Sequence, residues 1–415
     1  MEKENCDCLS NEAKLLHTSY PAKDVHNALS MPVYNAVAYE FETAAQMELA
    51  FTGKSPEHVY SRISNPTVQY FERRIKELTS AAEVISFNSG MAAIANAIMT
   101  VAYAGSNIVT SPHLFGNTYS LLAYTLKSFG VEARFCDLTK PDEVKAKIDK
   151  NTCALFLEII TNPQMEVADL CMLSDICKTY DVPLIADTTI VPFTVFHAAD
   201  FGVDIEIVSS TKYISGGATS LGGLVIDYGS FDWQHSQKLN YLINQTTLSA
   251  FSAKMRMEIH RNFGACMTPQ VAHMQTIGLE TLSVRYERAA KTCKCLAEQI
   301  KKLPDIVSVN YPTLPEHPYY DVSQRQFGEY AGAMFTFDLA SREAAFSFID
   351  NLKLIRRATN LFDNKTLAIH PASTIFGTFT EETRRSMDIS QNTIRISVGL
   401  ESTDDLYNDI VQAIR

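Results

Sequence analysis

The sequence predicts an α/β fold: a mainly parallel, seven-stranded sheet buried on both faces, with an irregular arm before it and a smaller α+β region after it. Three observations lead there. Short apolar, β-branched runs recur along the first two thirds of the chain, separated by helical or turn-rich segments. Those runs are continuous rather than alternating, as strands covered by helices on both sides require. Towards the C-terminus the pattern changes to alternation, which indicates strands with one wet face. With 415 residues, 46% apolar and 20% charged, the chain has ordinary globular usage and room for two or three domains of about 150 residues each.

Residues 1–64 are read as an arm. The stretch "MPVYNAVAYEFETAAQ" sustains neither a strand nor a helix period over its length, so it predicts extended chain with a short helix, packed on something else. The large domain, 65–270, opens with "NPTVQYFERRIKEL". Asn65 is placed to cap a helix and Pro66 to occupy its first turn, while Phe71, Ile75 and Leu78 share one face. Seven strands follow: "EVISF" (83–87), "NIVTS" (107–111), "EARFC" (132–136), "CALFLEII" (153–160), "VPLIAD" (182–187), "IEIVSS" (205–210) and "LGGLVID" (221–227). From 251 to 303 the pattern is helical, and "ETLSVRYERAAKTCKCLAEQIKKL" predicts a long, surface-lying linking helix at the start of the C-terminal α+β domain, 271–415. There "AGAMFTFDLA" and "TIRISVGLE" predict half-buried strands with the helix "REAAFSFIDNL" between them.

The formal net charge of −11 and the want of a basic patch exclude nucleic acid as a partner. "MEKENCDCLSNEAKLL" has no apolar run after its charges, and no stretch reaches the roughly 18 apolar residues of a span, so neither a signal sequence nor a membrane partner is expected. The nine cysteines are odd in number and form no Cys-x-x-Cys pair, which predicts free thiols in a reducing, cytoplasmic setting rather than a disulfide framework or zinc site. His58, His113, His197 and His370 lack metal-like spacing, and no metal is expected; His113 is read as supporting a site at most.

The chemistry concentrates at three places. "FNSGMAAI" runs a strand into a small-residue helix through Ser89, Gly90 and Met91, a turn whose unpaired N–H groups and positive dipole end suit a phosphate. "VPLIADTT" ends its strand with Asp187, and "SSTKYISGG" sets Lys212 among hydroxyls and glycines just after the next strand. In open α/β sheets the carboxyl ends of strands face the ligand crevice. Taken singly, these are a tight turn, a cap and a surface lysine. Together they match the needs of pyridoxal 5′-phosphate: an amine for its aldehyde, an acid for its ring nitrogen, and a cradle for its dianion.

In ordered combination, "YSRISNPT", "FNSGMAAI", "TNP", "IADTT", "SSTKYISGG", "HPAST" and "IRISVGLE" resemble the Cys/Met-metabolism family of pyridoxal-phosphate enzymes over nearly the whole chain. The resemblance implies a fold-type I transferase, with Lys212 as the Schiff-base lysine and proton shuttle. It implies that Asp187 partners the pyridine nitrogen, followed by Thr189, and that Ser89, Gly90, Met91, Ser209 and Thr211 form the phosphate cup. Tyr60 and Arg62 then reach the phosphate of a neighbouring subunit, Asn162 meets the ring hydroxyl, and Arg395 clamps a substrate carboxylate. Because two residues come from a neighbour, the family implies a homo-oligomer, a dimer of dimers, acting on a small amino-acid substrate.

Two departures bear on the reaction. Family members usually have tyrosine in "LYGGT", whereas "HLFGNTY" supplies Phe115, which keeps a ring for stacking and loses the phenol, so proton movement is expected to fall on Lys212, on Tyr60 from the neighbour, or on water. Asn360, Leu361 and Phe362 stand where Ser-Leu-Gly is common, so Phe362 is expected to narrow or reshape the substrate mouth. The run "TSLGGLVIDYGSFDW" is similar to the O-acetylhomoserine sulfhydrylase branch. An acetate leaving group needs little help from an acid, which is compatible with Phe115. The expected reaction is therefore γ-replacement on an O-acylhomoserine by sulfide or a small thiol. A methionine γ-lyase or cystathionine lyase is the alternative, and a catalytically silent cofactor-binding oligomer a third.

Overall fold

The computed structural model describes residues 10–18, 24 and 26–414. The residues 1–9, on which the reading of the N-terminus chiefly rests, and with them Cys6 and Cys8, lie outside it. Among the described residues no helix is long and apolar enough to cross a membrane.

The larger sheet has seven strands: β1 (Glu83–Phe87), β2 (Asn107–Thr110), β3 (Glu132–Phe135), β4 (Thr152–Glu158), β5 (Leu184–Asp187), β6 (Ile205–Val208) and β7 (Gly223–Asp227), in the order β1-β7-β6-β5-β4-β2-β3. β2 pairs in parallel with β3 and β4, and β4 in parallel with β5. β1 runs antiparallel to β7, with Glu83 opposite Asp227. All seven expected strands are present, and several are shorter than their apolar runs. The run from 182 begins two residues early because the Val182 N–H still bonds the Cys177 carbonyl of the preceding helix.

By its internal contacts the chain divides into two compact units. One comprises the described residues up to Val101 with Ile207–Ser215 and Thr219–Glu280; the other comprises Ala102–Glu206, Gly216–Ala218 and Thr281–Arg415. In the first, the helix Pro66–Thr79 starts as expected, with the Asn65 carbonyl oxygen accepting from the Thr67 N–H at 3.0 Å. Phe71, Ile75 and Leu78 are buried along its face. The helical stretch from 251 is interrupted rather than continuous. Gly264, at φ +66°, ends the helix His260–Phe263, and the chain resumes as Pro269–Glu280.

In the second unit the helix Leu282–Ile300 buries Leu282, Tyr286, Ala289, Cys293, Leu296 and Ile300, a stripe spaced by threes and fours. This helix is embedded along one side, not merely laid on a surface. A five-stranded sheet follows: β8 (Ser308–Asn310), β9 (Met334–Asp338), β10 (Arg356–Arg357), β11 (Leu367–Ile369) and β12 (Thr393–Ser397), ordered β10-β11-β12-β9-β8. Here the expectation of half-buried strands is corrected, since four of five residues in both β9 and β12 are buried. One face packs on helices, with the rings of Phe337 and Phe348 5.4 Å apart. The other meets the turn at 162–163, where the Thr336 hydroxyl donates to the Pro163 carbonyl and Arg395 reaches Asn162.

Candidate active site

In the first unit, β1 runs into Ser89, whose hydroxyl caps the helix Gly90–Val101 by accepting from the Ala92 N–H at 3.1 Å. A side chain at Gly90 would place its Cβ 2.7 Å from that of Ser209, so the missing side chain is what lets the end of β6 lie against the helix start. Gly223 is as tightly placed, for a Cβ there would run into the Ser89 carbonyl. Ser89, Gly90 and Met91 remain partly accessible at the positive end of a twelve-residue helix, with Ser209 beside them. That is a cradle of a kind that fits a phosphate dianion.

Thr211 is placed next to it, but its hydroxyl is engaged with Gly222, donating to the carbonyl at 3.1 Å and accepting from the N–H at 3.0 Å. It holds the loop against β7 as well as lining it. Lys212 is partly buried in the same loop. Its N–H bonds the Ser209 carbonyl at 3.1 Å, and its own carbonyl accepts from the Ser215 N–H and hydroxyl. The turn Tyr213–Ser215 that follows is buried and fixes the lysine backbone. Tyr60 and Arg62 are exposed, with the Arg62 guanidinium 5.5 Å from the Tyr60 ring centre and donating to the Arg261 carbonyl at 2.5 Å.

In the second unit, parallel pairing sets Glu158 of β4 directly opposite Asp187 of β5. One Asp187 oxygen accepts from the Thr189 N–H at 2.9 Å, which fixes the carboxylate at the strand end. Glu158 is buried and accepts from the Phe115 N–H at 2.6 Å. Burial, and then the charge of Asp187, hold the Glu158 pKa well above the usual carboxylate range against the opposing pull of that N–H. A neutral acid is therefore favoured beside Asp187. Sequence reasoning missed Glu158; its signal was a lone acid inside the apolar run "CALFLEII".

Arg395 on β12 is 2% exposed. Its guanidinium donates to the Asn162 side-chain oxygen and to the Asn360 carbonyl, both at 3.2 Å, and its Nε–H has no partner. Among the described residues no carboxylate pairs with it. Burial alone lowers its pKa to about 9. Leu361 and Phe362, which follow Asn360 in sequence, are buried. The Phe362 N–H bonds the Ser397 hydroxyl at 2.7 Å, and its φ of +55° turns the chain in a left-handed step. Its side chain is only 2% exposed and packs beneath the turn whose Asn360 carbonyl meets Arg395.

Over residues 12–415 the sequence matches a family model described as Cys/Met metabolism PLP-dependent enzyme. It is similar to the O-acetyl-L-homoserine sulfhydrylase of Corynebacterium glutamicum, at 31% identity over 99% of this chain and 98% of that protein. It is also similar to the solved O-acetylhomoserine sulfhydrylase of Wolinella succinogenes, at 43% identity and a TM-score of 0.76 over 85% of this chain and 98% of that one. A candidate O-acetylhomoserine (thiol)-lyase of Campylobacter jejuni, solved with a pyridoxyl-lysine phosphate residue, superposes at a TM-score of 0.91. It is 34% identical and covers 98% of this chain and 100% of that one.

Proposed function

The chain belongs to the Cys/Met metabolism PLP-dependent enzymes, and from that membership we propose that it replaces the γ-acyloxy group of an O-acylhomoserine, O-acetylhomoserine foremost, with sulfide or a small thiol to give homocysteine or methionine. Similarity over almost full length to proteins named O-acetylhomoserine sulfhydrylase supports the reaction. The observation that carries the substrate class is Arg395. A buried guanidinium with, among the described residues, no acid beside it and one unpartnered N–H suits an incoming carboxylate, which Arg binds through a planar fork.

Pyridoxal 5′-phosphate, when bound, supplies an electron sink that makes protons next to the amino-acid nitrogen labile. In this reading Ser89, Gly90, Met91, Ser209 and Thr211 hold the phosphate, and Lys212 holds the aldehyde and then moves protons along the substrate chain. Asp187, steadied by the Thr189 N–H, keeps the ring nitrogen protonated. Glu158 beside it fixes the Phe115 backbone, which presents a ring to stack on the cofactor. Asn162 contacts the ring hydroxyl and holds Arg395, and Asn360 steadies the same guanidinium through its carbonyl.

Tyr60 and Arg62, exposed in a single chain, reach the phosphate of a second copy. The protein thus works as a homo-oligomer, a dimer of dimers, in the cytoplasm, a setting that suits the free thiols of the described cysteines. The test is direct. Purified enzyme reconstituted with cofactor is expected to form homocysteine from O-acetylhomoserine and sulfide. No homocysteine, with methionine or cystathionine yielding a 2-oxo acid and ammonia instead, would overturn replacement in favour of a lyase.

A further inference from the structure

Around His113, three turns meet, and each carries or adjoins a residue of the proposed site. The first is the turn 111–115, in which the His113 N–H bonds the Ser111 hydroxyl at 3.0 Å and which ends in Phe115. The second runs from Thr161 to Glu166. It is closed by the Thr161 N–H on the Glu166 carbonyl at 2.9 Å, and it contains Asn162. The third, at 387–389, leads into β12 and Arg395; Gln164 of the second turn donates to its Met387 carbonyl at 2.6 Å.

The imidazole spans all three. Nδ1 lies 3.1 Å from a Glu166 oxygen and Nε2 3.0 Å from an Asp388 oxygen. With an acceptor at both nitrogens, only the doubly protonated ring satisfies both contacts; a neutral ring must give up one. We propose that His113, as an imidazolium bridging Glu166 and Asp388, is a positioning residue that sets the Asn162–Arg395 clamp and so makes the affinity for the substrate carboxylate fall as pH rises. The proposal rests on the function given above.

The surroundings leave His113 alone in this task. It lines a cavity of about 470 Å³ whose walls carry Glu166, Glu316, Asp338 and Asp388 and, among the described residues, no lysine or arginine. Glu316 is answered from outside by Lys301, and Asp338 by the hydroxyls of Ser308 and Thr393. Tyr319 donates to Glu166 at 3.3 Å but is neutral, its pKa raised by burial and by the charge of Glu166. His317 bonds Asn310 and is held neutral, its pKa lowered to about 4 by burial. For His113 itself burial opposes the charge, yet the hydrogen bond to Glu166 and the charges of Glu166 and Asp388 prevail, and its pKa lies above the ordinary imidazole value. The sign follows. The bridge is intact below the ordinary value and is lost as pH rises through the higher folded one.

The experiment uses the cofactor-loaded enzyme. An NMR titration of His113 is paired with equilibrium binding of L-2-aminobutyrate, which has the substrate's amine and carboxylate without a leaving group, and with KM and kcat across pH. His113→Gln is expected to weaken aminobutyrate and raise KM about tenfold while kcat moves less than about threefold, and to remove the pH dependence of affinity. Asp388→Asn, at an exposed side chain, is expected to lower the His113 titration midpoint and weaken aminobutyrate about threefold. It carries the test should the first variant not fold. A midpoint at or below the ordinary histidine value, or variant affinities within about twofold of wild type at every pH, would overturn the proposal. If the wild-type enzyme turns over no O-acylhomoserine, the proposed reaction fails, while the titration and aminobutyrate affinities still decide the role of His113.

Discussion

Arg256 and Arg395 show two ways of keeping a guanidinium out of water. Arg256 donates to Glu83 at 2.6 Å, to Glu72 at 2.9 Å and to the Val84 carbonyl at 2.7 Å. Burial works against its charge, but Glu72 and Glu83 outweigh it and its pKa rises. Arg395 has a carbonyl and an amide oxygen, no acid among the described residues, and a pKa brought down to about 9 by burial. The first arrangement is complete in the folded chain and stabilises it. The second is complete only when an anion arrives, and an enzyme that must bind a carboxylate has reason to tolerate its cost.

The largest expected effect separates the two roles. Arg395→Met should lower kcat/KM for O-acetylhomoserine by about 10²–10³-fold, the scale for truncating one partner of a buried charge pair. Its stability in urea should hold or rise, because an uncompensated buried cation is gone. In the wild type, kcat/KM should fall above about pH 9 as the guanidinium loses its proton. The folded pKa lies below the unfolded one, so the charge is penalised in the fold, and stability should increase as pH climbs through that value. The variant should show neither trend. A variant that unfolds readily while keeping its kcat/KM would reverse the assignment.

Arg256→Met should do the opposite. Removing the cation takes one partner from Glu72, which keeps the Ser86 N–H and hydroxyl, and one from Glu83, which keeps Lys76. A loss of about 2 kcal/mol is therefore expected in urea unfolding, discounted for those remaining partners and for the partial exposure of the side chain. Activity per folded molecule should stay within about twofold, since Arg256 touches nothing in the proposed site. A large drop in kcat with unchanged stability would break the contrast between the arginines.

Much of this was legible in the sequence, for identifiable reasons. Strands buried on both faces leave continuous apolar runs, so all seven strands of the larger sheet could be read. The helix from Pro66 announced itself through a capping Asn65 and a proline in the first turn. Strands of two or three residues such as Arg356–Arg357 and Ser308–Asn310 have no period to read, and their pairing comes from tertiary context. β9 and β12 were misread as half-wet because Thr336 and Arg395 look like solvent-facing residues, when they meet the turn at 162–163 instead. Lys212, Asp187 and Arg395 sit in motifs. Glu158 does not, and His113, although it opens "HLFGNTY", shows no role there, because what each does depends on partners 43 and 275 residues away.

The smallest expected effect concerns chemistry rather than binding, and so it tests the clamp from the other side. Phe115 is fixed by its N–H on Glu158, so a tyrosine there should present its ring in the same attitude and add only a phenol. General acid help can be worth 10²–10⁴-fold where a leaving group needs it, but acetate needs little; Phe115→Tyr should therefore raise elimination from O-acetylhomoserine without sulfide by only about three- to tenfold. That rise would be read as 2-oxobutyrate release. KM should stay within about twofold, because Arg395 and its holders Asn162 and Asn360 are untouched. If KM moves instead and elimination does not, the ring at 115 governs how the carboxylate is seated, and the separation between the clamp and the proton chemistry fails.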